Sequence, residues 1–198
     1  VEKVNVTMGY PIKNTLAYSL IEILVTLQTH CRAKDGATTF YHKDVAQLLS
    51  HPYITDICGD VAREKIKEIA TKRVIMVEDR LLNEAIKDKN YGTTAEIERA
   101  KSILSKLFVD AKTIDLAQTD GEQECGWKKL AHYIVDVLNT ISALQDFNEF
   151  DSDNYNNEHR LLVANEITKL VNLIEACKIP LSTEIFVSLL RRHLQTIS

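Results

Sequence analysis

Apolar residues at Leu16, Leu20, Ile23, Leu24 and Leu27 recur at helical spacing and predict an amphipathic helix over about Thr15–Arg32, with Asn14 as its N-cap. The stretch AKDGATT that follows reads as a loop. A short helix is expected near Tyr41–Ser50, with Val45, Leu48 and Leu49 on one side. HPYITDICGD then reads as a break, restrained by Pro52 and punctuated by Gly59. Asp60 caps a run to about Lys89 whose one face holds Ala62, Ile66, Ile69, Arg73, Val77, Leu81 and Ala85. Such a helix would be roughly 45 Å long. It either breaks near Arg73–Val77 or spans two subdomains, and the β-branched VIMV at 74–77 reads equally as a short strand.

The second half is more regular. Gly92 suits a helix C′ position, and Thr93 with Glu96 fits a capping box. Ile97, Ala100, Leu104, Leu107, Ala111 and Ile114 then form a heptad seam, open to an antiparallel neighbour within the chain or to a homodimer through 97–114. After the loop QTDGEQECGW, Leu130, Ile134, Val137, Ile141 and Leu144 predict a helix over about Trp127–Phe147. Val163, Ile167, Leu170, Ile174 and Cys177 predict another over about Glu158–Lys178, ended by Pro180. Ser182 caps a last helix to about Thr196, with Arg191, Arg192 and His193 where the helix dipole favours cations.

The fold class is therefore all-α: an up-down helical bundle of about four long helices, preceded by a smaller N-terminal helical subdomain. The boundary falls at 1–59 and 60–198, unless the two are one continuous domain. Only six Gly and three Pro among 198 residues argue against a turn-rich β fold. No apolar run approaches the roughly 18–20 residues of a membrane span, and no signal peptide pattern is visible. The chain begins at Val1 without Met, as expected of a processed or excised chain. Cysteines at 31, 58, 125 and 177 are widely spaced, which suits free thiols in a reducing compartment. The expected location is intracellular and soluble, cytoplasmic or nuclear.

Charge changes the picture in one place. The net charge is −4, yet between 120 and 158 nine acids face only Lys128 and Lys129. This belt repels nucleic acid and anionic membranes. Its densest part, DFNEFDSDNYNNEH, also carries aromatics. An EF-hand loop read from Asp151 fails, because Tyr155, Asn156 and Leu162 occupy ligand, glycine and glutamate positions. The stretch reads as a solvated loop or a docking loop, with Trp127, Phe147, Phe150, Asp151, Asp153 and Tyr155 as the protein-contact residues.

Other chemistry is sparse. His30, Cys31, His42, His51 and Cys58 cluster in sequence, but no tight ligand pair supports zinc. Phosphate-loop, dinucleotide, nucleophile-elbow and zinc-protease motifs are missing. His132 and Asp136, four apart, read as a surface pair. No cofactor, metal or catalytic residue is expected. The function expected is a non-catalytic adaptor domain that binds another protein and regulates or assembles a larger complex. The alternative is nucleic-acid binding through 41–73. This region resembles a helix-turn-helix in outline only, with Lys65, Lys67, Lys72 and Arg73 on its basic helix and an unusually long spacer.

Overall fold

The structure, a computed structural model, describes residues 11–34, 37–84, 94–109, 126–144 and 153–197. A 3-10 turn at Ile12–Asn14 leads into α1, Leu16–His30. The N-cap is Thr15 rather than Asn14: its Oγ accepts from the Tyr18 N–H at 3.2 Å and donates to the Ile12 carbonyl at 2.7 Å. Helix α1 buries Leu20, Leu24 and Leu27 on one side, and Ile21, Ile23 and Val25 around it. A helix apolar on so much of its circumference belongs in an interior.

Two expectations change directly after α1. AKDGATT is not a plain loop: β1 (Arg32–Lys34) and β2 (Ala37–Tyr41) pair antiparallel, and β3 (Met76–Glu78) adds to β2. The sheet order is β1-β2-β3, with Phe40 opposite Val77. Thr38, Thr39, Phe40 and Tyr41 suit a pleated surface, and alternation buries Thr38 and Phe40. The expected break at 51–60 is helical as well. After α2 (His42–Leu49) comes α3 (Pro52–Cys58), then α4 (Asp60–Lys72). Pro52 is the first residue of α3, where a missing N–H costs nothing.

The long run to Lys89 takes the broken form. Arg73 adopts a left-handed φ of 50° and its N–H bonds the Ala70 carbonyl, which closes α4. The strand alternative for VIMV holds in part, since only its Met76 and Val77 belong to β3, and α5 (Asp79–Glu84) follows. Next come α6 (Thr94–Leu107), α7 (Gly126–Leu144), α8 (Asp153–Cys177) and α9 (Thr183–Gln195). Helix α8 begins five residues before the expected start, so the end of the acidic stretch is helix rather than loop. Acidic residues are favourable in a first helical turn. The proposed capping box at Thr93 and the seam positions Ala111 and Ile114 lie outside the described residues.

The fold is thus mostly helical, with one small sheet. A single apolar core joins both halves of the chain. Helix α1 packs against α2, α7, α8 and β2, while α3 packs against α6 and α7. Ala100, Leu104 and Leu107 of the heptad seam are buried within the chain, α6 lying against α3 and α7. These three seam positions are covered in a single copy. Among the described residues no helix is long and apolar enough to cross a membrane.

Candidate interaction surface

Trp127 opens α7, but its indole is only 3% exposed. It packs against Phe186 of α9, ring centroids 5.3 Å apart, and Lys128 Nζ lies 5.6 Å from its centroid. A ring so covered offers a partner almost no surface. Phe147, Phe150 and Asp151 lie outside the described residues. Asp153 and Tyr155 fall in the first turn of α8, where only the backbone is described.

The basic residues of α4 do not form one exposed set. Lys65 is buried at 3% exposure; its Nζ donates to the Leu81 carbonyl and lies 3.8 Å from Glu68 Oε2. Lys67 pairs with Glu64 at 2.6 Å, and Lys72 with Glu68 at 2.6 Å. Arg63 pairs with Asp60 at 3.0 Å. The wet face of α4 is thus a row of local ion pairs, the usual state of an exposed helix. Lys65→Glu is expected to cost about 3–5 kcal/mol, since it leaves a buried carboxylate facing a carbonyl oxygen. Lys67→Glu leaves the urea midpoint almost unchanged. Equal effects of the two on that midpoint would refute the burial of Lys65. A test of nucleic-acid retention therefore belongs on Lys67, Lys72 and Arg73 alone.

The His and Cys residues go separate ways. His30 Nδ1 donates to Asp44 Oδ2 at 2.7 Å, tying α1 to α2. Cys31 Sγ donates to the Gln28 carbonyl at 3.0 Å, and His42 Nδ1 to the Ile75 carbonyl at 3.1 Å. Cys58 is buried, which pushes its thiol up to about 12 and removes it from nucleophilic use. Asp136 bonds Lys106 of α6 at 2.7 Å, an inter-helix tie. Among the described residues no group of three His, Cys, Asp or Glu side chains converges on a metal position.

One Ser–His contact has the outline of a nucleophile and base: Ser19 Oγ lies 2.9 Å from His51 Nε2. Its chemistry points elsewhere. His51 is the N-cap of α3, and its Nδ1 accepts from the Tyr53 N–H at 3.3 Å. The ring proton therefore sits on Nε2, which donates to Ser19, whereas a base must accept there. Ser19 Oγ in turn donates to the Leu16 carbonyl at 3.1 Å. Burial lowers the His51 pKa to about 4, so the imidazole is also a weak base. Tyr53 meets the His51 ring edge-on at 5.3 Å and carries the Arg160 guanidinium 4.6 Å from its centroid. The arrangement locks α1, α3 and α8 together.

Exposed apolar surface is concentrated at the other end of the chain. Among the described residues seven large apolar side chains are exposed, and six of them lie between Leu161 and Leu189. They are Leu161, Leu162 and Leu173 on α8, Ile179 in the linker, and Ile185 and Leu189 on α9. No family model, curated protein or solved structure matches this chain.

Helix α9 has two distinct sides. Phe186, Leu190 and Leu194 are buried in the core. Arg191 bonds Glu22 of α1 through Nε and Nη2, the latter at 2.7 Å, and this pairing raises the pKa of the guanidinium. His193 Nε2 donates to Glu166 of α8 at 3.1 Å. Lys169 first, and His193 after it, hold the Glu166 carboxyl below its usual range. These ties fix the orientation of α9. Glu184, Ile185, Ser188, Leu189 and Arg192 then point away from the core and line an open groove of about 440 Å³. Trp127, whose side chain alone is described among the contact residues expected from the acidic belt, lines a separate pocket with Ile174, Lys178 and Ile179. On α8, Leu161, Leu162 and Leu173 fall off the apolar stripe and are exposed, and so is Cys177, which the sequence placed on that stripe.

Proposed function

We propose that this chain is a non-catalytic interaction domain that regulates or assembles a larger complex by docking a protein on the outer surface of α8 and α9. In this reading α6, α7, α8 and α9 form an up-down bundle that holds the surface rigid. The packing of α6 on α7, α7 on α8 and α8 on α9 supports that arrangement. The observation that carries the proposal is the concentration of exposed apolar side chains between Leu161 and Leu189. Covering a half-exposed Leu or Ile contributes on the order of 1 kcal/mol, so a few of them suffice to anchor a partner. The acidic stretch before α8 adds long-range steering toward a basic rim. Nucleic-acid binding has less support, because the charges of α4 are satisfied locally.

The test is affinity capture from native lysate, with and without nuclease, using the unmodified chain and Leu173→Asp. The expected result is a stoichiometric, nuclease-resistant protein that Leu173→Asp releases while the fold persists. Leu173 is 62% exposed, so the substitution leaves the core intact. Retention that vanishes with nuclease, or that ignores Leu173→Asp, would sink the proposal.

A further inference from the structure

We infer that the exposed face of α9 pairs with the same face of a second copy of this chain, in an antiparallel, two-fold arrangement centred on Ser188. The inference rests on the reading of α8 and α9 as a docking surface and names one occupant for it. Glu184, Ile185, Ser188, Leu189 and Arg192 share one side of a helix and line one groove. Their order is self-complementary. An acid stands four residues before Ser188 and a base four residues after it. Rotating a second α9 by a half-turn about Ser188 sets Glu184 of each copy opposite Arg192 of the other. A two-fold interface requires this of any patch that binds itself.

Size and chemistry agree with that placement. Ser188 is small, which lets two helices approach closely at the centre. Ile185, 51% exposed, and Leu189, 38% exposed, flank it and supply the apolar contact. Among the described residues neither Glu184 nor Arg192 makes an ion pair, although their neighbours Arg191 and His193 do. These two α9 charges, without an ion pair among the described residues, are the two that the second copy matches. One helix against one helix covers less than the roughly 1,200 Å² typical of stable interfaces, so the dimer is weak and reversible.

Sedimentation equilibrium of the purified chain over a concentration series tests this. The mass should rise with concentration from 22.5 kDa toward twice that value. Glu184→Arg places like charges opposite each other and should weaken association by about tenfold or more. The double variant Glu184→Arg/Arg192→Glu should restore it, which also excludes misfolding as the cause. Leu189→Asp should abolish it. A chain that stays at 22.5 kDa at every concentration overturns the pairing. So does a dimer that ignores Glu184→Arg. Either result can occur while Leu173→Asp still releases a captured protein, so the pairing and the proposed function fail separately.

Discussion

Trp127→Ala should destabilise the protein by about 3–5 kcal/mol, the cost of emptying a large aromatic site in a packed core. Trp127 is the first large side chain of α7, and its ring fills the space between that helix and Phe186 of α9. Removing it leaves a cavity at the point where α9 is held down, and Phe186→Ala should do nearly the same from the other side. A typical domain has about 5–15 kcal/mol in total, so the loss is a large share. Urea denaturation followed by circular dichroism measures it. Trp127 is also the only tryptophan, so its fluorescence reports on one place. Native emission should be blue-shifted and should move red on unfolding. A red-shifted native spectrum together with unchanged stability would return Trp127 to the surface as a contact residue.

Acid should weaken the protein through His51. The imidazole is held neutral, with a pKa near 4 against an ordinary value of 6.5, chiefly because burial penalises its charged form. Between those values the unfolded chain binds the proton and the folded chain does not. Stability therefore rises with pH across the window: it is fully present above about 6.5 and lost as pH falls toward 4. The shift corresponds to about 3 kcal/mol. His51→Asn retains an N-cap for α3 but has no titrating ring. The stability difference between the two proteins should change by about that amount between pH 7.5 and pH 4, other titrating groups cancelling in the comparison. A difference that is flat with pH would show that His51 is not buried neutral. A base-competent His51 paired with Ser19 would instead hold its pKa near or above 6.5.

Periodicity alone located most of the helices. Amphipathic spacing is a local property, and α1, α2, α7 and α9 each carry a full apolar stripe. Ser182 caps α9 as its sequence position implies, its Oγ accepting from the Ile185 N–H at 3.4 Å. Short elements were less legible. In α3, Pro52 reads as a breaker or as a helix start depending on which residue precedes it, and a buried His51 made it a start. VIMV has no period of its own, and β3 exists because β2 lies beside it to take its hydrogen bonds.

Tertiary contacts alone decided which side chains are covered. The sequence marked Lys65 as one basic residue in a row and Trp127 as an aromatic beside an acidic belt, yet both are buried, one under α5 and one under α9. Conversely, Ile185 and Leu189 face outward, because Arg191 and His193 anchor α9 to α1 and α8. Helix formation follows from the order of residues within one segment. Burial depends on neighbours supplied from distant parts of the chain, and the candidate site is made of the residues those neighbours leave uncovered.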